Sequence, residues 1–245
     1  MSAGIASGSA RAGTAKVGAW DAPTRIFKWS LVTLLLVSYL TYLQGDAGMR
    51  WHIWSGYAVL VLLVFRLIWG FVGSSTARFA SWVTWPWTAL AYGLKLLQGR
   101  SPRFLGHNPL GGWMILLLVV LVASQGVAGL FTVDNNGLQG GPFANLDFGD
   151  PTPTQRTLSR WHHLGFYVIM GVACIHVLAN VWYQSAKGDP LITGMVTGEK
   201  PAADYADEPA MRPASNLWLR AAGSLAAAAA IVFGGVKAFG GTLPF

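Results

Sequence analysis

Five stretches of this chain are each long and apolar enough to cross a lipid bilayer, which takes a helix of roughly 20 mainly apolar residues. They cover residues 26–43, 53–72, 112–131, 163–183 and 217–239. A backbone inside a bilayer has to satisfy its hydrogen bonds internally, and a helix does so within one segment. Only 11% of the residues are charged, against about a quarter in soluble domains. The sequence therefore predicts an all-α integral membrane protein.

The first four stretches predict a transmembrane four-helix bundle over residues 20–200. A flexible cytoplasmic tail is expected at 1–19, a polar linker at 201–215 and a fifth transmembrane helix at 216–240. The tail lacks the apolar segment and the small-residue cleavage site of a secretory signal. Residues 89–97 follow a Trp-rich segment and are too short to cross, so they are expected to form a short interfacial helix.

The distribution of basic residues predicts the orientation of the chain, because cytoplasmic loops are enriched in Lys and Arg. Three regions that fall on one side of a five-span arrangement hold Arg11, Lys16, Arg25, Arg78, Lys95, Arg100, Arg103, Lys187 and Lys200. Membrane topology therefore explains the net charge of +7, and the sequence has no basic stripe or motif for nucleic acid. We expect a bacterial inner-membrane protein with a cytoplasmic N-terminus.

Histidines inside membrane helices are the candidate functional residues, because an ionisable side chain is costly in lipid. His162 and His176 are 14 residues apart, which places them about 21 Å apart along one helix and on nearly the same face. His52 opens the second span at the outer side, where Arg-Trp-His at 50–52 is repeated at 160–162. Imidazole is a common axial ligand of haem iron, and cofactor sites in bundles use facing helices. The pattern predicts a haem held by His52 and His162.

Nearby glycines and arginines each have two interpretations. Gly56, Gly165 and Gly171 either let a flat macrocycle approach the backbone or serve close helix packing. Arg50 and Arg160 either pair with haem propionates or anchor the chain at the interface.

Two further residues have plainer expectations. The ring of His163 points about 100° away from His162, so it is expected beside the ligand set or on the surface. The single cysteine, Cys174, is expected to be a packing residue.

The partner of His176 is not fixed by this reasoning. At matching depth on the first span stands Lys28, and the first span has no histidine. A neutral Lys28 amine ligates the iron, or His107 or another residue supplies the second ligand, or no inner haem binds. A buried lysine can lose its proton, whereas one near a helix end extends to the interface.

Several short motifs between Trp20 and Lys200 belong together. They are Trp20-Asp21, Arg25-Ile26-Phe27, Trp29, His52, Gly56-Tyr57, Arg66, Trp69-Gly70, Gly106-His107-Asn108-Pro109-Leu110-Gly111, His162, His176 and Met195-Val196-Thr197-Gly198-Glu199-Lys200. In this combination the chain resembles the bacterial cytochrome b561 family in its broad sense, which includes the cytochrome b subunits of nickel-iron hydrogenases.

The resemblance implies one or two b haems among four helices and electron exchange between quinone and a redox partner. That partner is a c-type cytochrome or a dehydrogenase- or hydrogenase-like subunit. The resemblance makes His52 and His162 the outer ligands and His176 one inner ligand. Lys28 stands where the family has a histidine, so the inner site is where this chain departs from the pattern.

Two functional classes follow from the sequence. The first is a membrane cytochrome that passes electrons, with lipid and quinone as expected partners; it is an electron-transfer subunit rather than a stand-alone enzyme. The second is a haem-poor anchor for a larger complex. A transporter is disfavoured, because no Asp or Glu lies within any predicted span and acidic groups mark ion pathways.

Overall fold

The structure is a computed structural model that describes residues 15–133, 140–144 and 152–243. Its elements in chain order are β1 (Lys16–Gly18), α1 (Ala22–Tyr42), α2 (Asp46–Val72), α3 (Phe79–Trp82), α4 (Pro86–Leu97), α5 (Pro109–Gly129), α6 (Pro153–Ser185), α7 (Leu191–Thr197), β2 (Glu199–Pro201) and α8 (Leu217–Ala238). A short 3-10 turn, Ser75–Ala77, precedes α3. The predicted all-α membrane fold is confirmed, since the strands among the described residues are three residues long.

The hairpin of α1 and α2 has its start and its turn set by local sequence. The Asp21 carboxylate accepts a hydrogen bond of 2.7 Å from the backbone N–H of Thr24, which caps the first turn of α1. Pro23 lies in that turn, where a missing N–H costs no helical hydrogen bond. Gly45, in the turn before α2, has a φ of +60°, a conformation that glycine adopts without steric penalty.

The second hairpin pairs α5 with α6, and both helices begin at side-chain caps. Asn108 accepts a hydrogen bond of 2.8 Å from Gly111 N–H at the start of α5. Thr152 and Gln155 form a reciprocal capping box at the start of α6, which satisfies two donors that a helix terminus otherwise leaves free. As a result α6 is 33 residues long and begins ten residues before the apolar stretch that predicted it.

The centre of the bundle is α2, which packs against α1, α5 and α8. Within its most apolar window 44% of the residues are buried, against 11% in α5 and α6. Phe65 and Trp69 of α2 contact Phe27 of α1 and Ala228 of α8 in one apolar core. A second core joins α2 to α5 and α6. The outer faces of α5 and α6 are thus left for lipid, which accounts for their apolar exposure.

The end of the bundle next to the N-terminal strand β1 is called the inner end, after its predicted orientation, and the opposite end is called the outer end. Contacts between segments distant in sequence close the inner end. β1 and β2 pair antiparallel, with Val17 opposite Lys200. The Lys200 ammonium donates to the Asp189 carboxylate at 3.0 Å and to the Phe104 carbonyl at 3.0 Å. These bonds join the N-terminal strand, the loop before α5 and the segment after α6.

Four helices among the described residues are long and apolar enough to cross a membrane: α2, α5, α6 and α8. The chain is therefore a multi-pass membrane protein. With 21 residues α1 has the length of a span, but Arg25 and Lys28 lower its hydropathy, and its crossing stays a prediction. At 12 residues α4 is too short to cross. Its exposed Trp87, Leu90, Leu94 and Leu97 lie on one face, as in a helix lying at the bilayer interface.

The helix bounds differ from the predicted ones mainly at polar ends. The expected tail at 1–19 is ordered from Lys16, where β1 pairs with β2, and residues 1–14 lie outside the described residues. The expected linker at 201–215 begins with the end of β2. The connection between the third and fourth predicted spans, called the outer loop, is expected on the outer side of the membrane. Most of it, residues 134–139 and 145–151, also lies outside the described residues.

Candidate functional site

His52 of α2 and His162 of α6 face each other at the outer end of the bundle. Their ring centroids are 6.0 Å apart and their planes are at 89°. The two side chains come from helices that do not follow one another in the chain, so the folded bundle brings together what the sequence separates by 110 positions. Both imidazoles are partly buried. The pair expected from the repeated Arg-Trp-His tripeptide is thus placed at one depth.

Both rings are held through the same nitrogen. Nδ1 of His52 lies 2.8 Å from the Ser38 carbonyl oxygen, and Nδ1 of His162 lies 3.0 Å from the Gln125 carbonyl oxygen. A carbonyl only accepts, so in both rings Nδ1 carries the proton and donates it. Nε2 is therefore the nitrogen with the lone pair in both. A second hydrogen bond of this kind is what orients histidines that bind metal.

The spacing of the two rings suits a metal ion between them. Two metal–nitrogen bonds of about 2 Å, together with about 1 Å from each nitrogen to its ring centre, span about 6 Å. A haem iron takes two axial ligands beyond its macrocycle, and imidazole is a usual one. No group of three or more His, Cys, Asp or Glu side chains placed to hold a metal occurs in the described part of the chain. The residues present fit a haem b held by His52 and His162.

Aromatic side chains of α1 border this pair. The Tyr42 ring centroid is 6.0 Å from that of His52 and also 6.0 Å from that of His163. Tyr39 stacks on Phe166 of α6, with centroids 4.8 Å apart. These long side chains connect α1 to α6, whose backbones are not packed closely against each other within the described ranges. Side chains thus bridge the space between the α1 and α6 backbones, which is called the cleft below.

The predicted glycines do not all behave alike. A Cβ on Gly165 would lie 2.6 Å from Gln125 Oε1, so this glycine serves the close packing of α5 on α6. A Cβ on Gly56 or Gly171 would meet nothing within 4 Å, and there the structure leaves open space. Helix packing therefore accounts for Gly165 but not for the other two.

Arg50 and Arg160, the candidates for pairing with haem propionates, lie beside the two histidines in sequence and are exposed. His163 is exposed too, with its ring centroid 6.3 Å from that of His162. The guanidinium groups of Arg50 and Arg160 make no hydrogen bond or ion pair with the residues that the structure describes. Both interpretations of the arginines therefore stay open.

The inner half of the cleft holds His176 and Lys28. Nε2 of His176 is 3.2 Å from the amide nitrogen of Asn180, which also donates to the His176 carbonyl at 2.7 Å. Lys28 of α1 is near enough to interact electrostatically with His176 and with His107. The predicted residues of the inner site thus lie within electrostatic range of one another, although they belong to different elements.

His107 lies under the inner end, where two tryptophans enclose it. Its ring centroid is 4.7 Å from that of Trp20 and 5.2 Å from that of Trp82. Burial, and then the nearby charge of Arg66, hold the pKa of His107 well below its usual range. Its Nδ1 is buried and has no hydrogen-bond partner among the described residues. This neutral ring packs against the tryptophans and belongs to the loop before α5.

Three site residues were missed from the sequence. Ser38 and Gln125 accept the Nδ1 protons through backbone carbonyls, which every residue has, so the sequence does not mark that role. Their side chains add contacts that only the fold shows: Ser38 Oγ lies 3.1 Å from His52 Nδ1, and Gln125 Nε2 donates to the His162 carbonyl at 2.6 Å. Gly129 lies against His162, where a Cβ would be 3.0 Å from Cε1 of the ring. It is one of 30 glycines in the chain, and only the fold shows which of them touches the histidine.

The bundle and its facing imidazoles define the class of protein, a helical membrane cytochrome. Residues 19–198 match the family model described as prokaryotic cytochrome b561. The chain therefore belongs to that family, and the resemblance stated on the motifs is confirmed. It is a membrane b-type cytochrome of electron transport, and its family implies haem b as the cofactor.

Relatives with curated names agree with the family. A protein of Rhizobium leguminosarum bv. viciae is 26% identical over 216 residues, which are 77% of this chain and 90% of the relative. A protein of Azotobacter vinelandii is 27% identical over 208 residues, 73% of this chain and 86% of the relative. A protein of Cupriavidus necator is 22% identical over 214 residues, which are 76% of this chain and 87% of the relative. Each is named a probable Ni/Fe-hydrogenase B-type cytochrome subunit.

Proposed function

We propose that this chain passes electrons between the quinone pool and a hydrogenase-like partner through a haem b held by His52 and His162. The observation that carries the proposal is the facing pair of imidazoles, 6.0 Å apart, with both Nδ1 atoms bonded to backbone carbonyls. Because Nδ1 carries the proton in both rings, the Nε2 lone pairs of His52 and His162 are available to bind iron. Bound haem supplies one-electron chemistry, while the protein sets its orientation and surroundings.

The protein contributes ligand basicity and burial at this site. Hydrogen bonds from Nδ1 to carbonyl oxygens increase electron density on the imidazoles and fix their orientation. The apolar residues of the bundle surround the cleft and lower the local dielectric, which tunes the potential of a bound redox group. Tyr42 and Tyr39 limit access from the outer end of α1.

The partner is inferred from the names of the relatives, which are hydrogenase cytochrome subunits. A c-type cytochrome or another dehydrogenase subunit would use the same electron route, and the partner's binding surface is expected on the outer loop. We further infer the inner bacterial membrane as the location, with the N-terminus cytoplasmic, because the basic residues are concentrated on one side.

The test is haem content and reduction of the purified, detergent-solubilised chain. Pyridine haemochrome analysis is expected to show haem b that is lost at the outer site in His52→Ala and in His162→Ala. His163→Ala is the matched control, since its exposed ring adjoins His162 and should leave haem content unchanged. A quinol analogue should reduce the haem of the wild type, which stopped-flow absorbance measures.

The outcomes separate the alternatives. Haem content unaffected by His52→Ala and His162→Ala would contradict the assignment of the ligands. A wild-type chain without haem would instead favour the anchor, which holds a partner in the membrane. Reduction by hydrogen when a nickel-iron hydrogenase is added, but not by quinol alone, would remove the quinone part of the proposal.

A further inference from the structure

We infer that Lys28 and His176 are the axial ligands of a second, inner haem, with the lysine amine in the place of an imidazole. The inference rests on the proposed function, since it assumes that the chain holds haem at its outer pair. It concerns the inner half of the cleft between α1 and α6. The ligand there is an iron porphyrin, and the donors are one amine and one imidazole.

A second histidine, His176, lies on the inner half of α6, on the helix face that carries the outer ligand His162. His162, Phe166, Ile169, Ala173, His176 and Asn180 are spaced by alternating steps of four and three residues. Residues with this spacing share one helix face. All six are buried or partly buried, whereas most other residues along this part of α6 are exposed. His176 therefore lies on the face that presents His162 to the bundle.

Lys28 lies on the face of α1 that contacts the outer pair. Lys28, Leu31, Leu35, Ser38 and Tyr42 follow the same alternating spacing. Ser38 and Tyr42 contact His52, while Leu31 and Leu35 pack against the apolar core shared by α2, α5 and α6. Lys28 is thus the innermost residue of this face of α1, whose outermost residues, Ser38 and Tyr42, contact the ring of His52.

Lys28 and His176 lie at similar depths along the bundle. Ser38 and His162 both lie at the outer pair, so depth is counted inward from them. Lys28 is ten residues from Ser38 along α1, a rise of about 15 Å, and His176 is fourteen residues from His162 along α6, a rise of about 21 Å. Helical side chains lean back toward the helix N-terminus, which for α1 is the inner end. The long lysine side chain spans the remaining distance, so its amine and the His176 ring lie at one level. Their electrostatic interaction agrees with this placement.

The Lys28 Nζ and the His176 Nε2 can both serve as donors to iron. The Lys28 ammonium makes no hydrogen bond or ion pair with the described residues, although its side chain lies within the cleft. Nε2 of His176 accepts from the Asn180 amide at 3.2 Å, so it carries the lone pair that iron needs. Asn180 keeps its 2.7 Å bond to the His176 carbonyl when its amide gives way to iron.

Ligation has a simple proton balance. Iron accepts an electron pair from the neutral amine, because an ammonium has no lone pair to donate. Binding of haem therefore releases the Lys28 proton to solvent, and no oxidant or reductant is consumed. Arginine in the same position keeps the positive charge but does not lose its proton. A change of Lys28 to Arg thus separates ligation from charge.

The experiment measures haem stoichiometry and axial ligation of the ferric protein together. Haem per chain is determined by pyridine haemochrome, and ligands by electron paramagnetic resonance and near-infrared magnetic circular dichroism, whose charge-transfer band depends on the axial pair. The variants are Lys28→Arg, Lys28→His and His176→Ala, with Lys95→Arg on the exposed face of α4 as the matched control. Size-exclusion chromatography and the signal of the outer haem report whether each variant is folded.

We expect two haems per chain in the wild type and in Lys95→Arg, one of them with an amine–imidazole signature. Lys28→Arg and His176→Ala should lower the stoichiometry from two to one and leave the outer bis-imidazole signal. Lys28→His should restore two haems and convert the inner signature to bis-imidazole. If Lys28→Arg loses both haems, Lys28→His becomes the deciding variant. Failure of Lys28→His to restore the inner haem would overturn the inference.

Other results would also overturn it, and they are distinguishable from failure of the proposed function. One haem in the wild type, lost in His52→Ala and kept in Lys28→Arg, would leave the proposed function standing with a single outer site. Two haems with unchanged spectra in Lys28→Arg would remove lysine as a ligand. No haem in the wild type would remove both proposals together.

Discussion

His162 of α6 lies directly against Gly129, the last residue of α5: a Cβ at position 129 would be 3.0 Å from Cε1 of the imidazole. Gln125, one turn earlier on the same helix, accepts from Nδ1 of this ring and donates through its side chain to the His162 carbonyl at 2.6 Å. The position of the ring is therefore set from α5 by one close contact and two hydrogen bonds.

Gly129→Ala is expected to weaken haem binding at the outer site by about tenfold, the lower end of the effect seen when groups that orient a ligand are changed. The added methyl displaces the His162 ring by a few tenths of an ångström from its position opposite His52. The measurement is the rate of haem transfer to excess apomyoglobin. Gly93→Ala on α4 is the control, because its Cβ would meet nothing within 4 Å. Equal transfer rates in both variants and the wild type would contradict the role of Gly129.

Hydropathy predicted where the helices lie because apolar stretches of this length have few other stable forms. It failed at the polar start of α6, although Thr152 and Gln155 have the spacing of a capping box. It also missed the pairing of β1 with β2, because residues 16–18 and 199–201 are far apart in the chain. Their contact depends on how the whole inner end assembles.

The histidines could be singled out because charged and polar groups are rare in spans, and the repeated tripeptide suggested that His52 and His162 lie at one depth. The groups that orient them could not be identified. Carbonyl acceptors are present at every residue, and which carbonyl faces Nδ1 depends on the rotation of α1 and α5 about their own axes. Sequence spacing fixes the relative faces of residues within one helix, but not the rotation of one helix against another.

The ion pair of Lys200 and Asp189 should contribute strongly to stability, because both side chains are at least 95% buried. Burial lowers the pKa of Lys200, and the Asp189 carboxylate works against that lowering. Removing one partner leaves the other charge buried without compensation, which costs about 3 kcal/mol or more. We expect Lys200→Met to lower the free energy of unfolding by about that amount, measured by thermal unfolding in detergent.

The control is Lys16→Met, which breaks an exposed contact of 3.8 Å with Glu199. It should lower the free energy of unfolding by less than about 1 kcal/mol. Similar losses in both variants would rule out this account.

Acid should destabilise the protein through His107. In the folded chain its pKa is held well below the usual 6.5, so the ring stays neutral, while in the unfolded chain it takes up a proton below about pH 6.5. The unfolded state then binds more protons, and stability falls with decreasing pH in the window between the two pKa values. Within that window each pH unit lowers the stability by at most about 1.4 kcal/mol.

The measurement is the thermal midpoint in detergent at pH 7 and pH 5. His107→Phe keeps an aromatic ring between Trp20 and Trp82 but does not titrate, so its midpoint should fall less on acidification than that of the wild type. His163→Phe, at an exposed histidine, should respond to acid like the wild type. An identical acid response in all three proteins would show that His107 is not the group responsible.

Cysteine labelling can decide whether α1 crosses the membrane and in which direction. The chain has a single cysteine, so Cys174→Ser provides a background without thiols. Lys16 and Asp46 are exposed and flank α1 at its two ends. In spheroplasts, a membrane-impermeant maleimide should label Asp46→Cys directly and Lys16→Cys only after permeabilisation, because basic residues mark the cytoplasmic side. The opposite result would invert the orientation, and labelling of both positions from one side would show that α1 does not cross, leaving Lys28 without a place inside the bilayer.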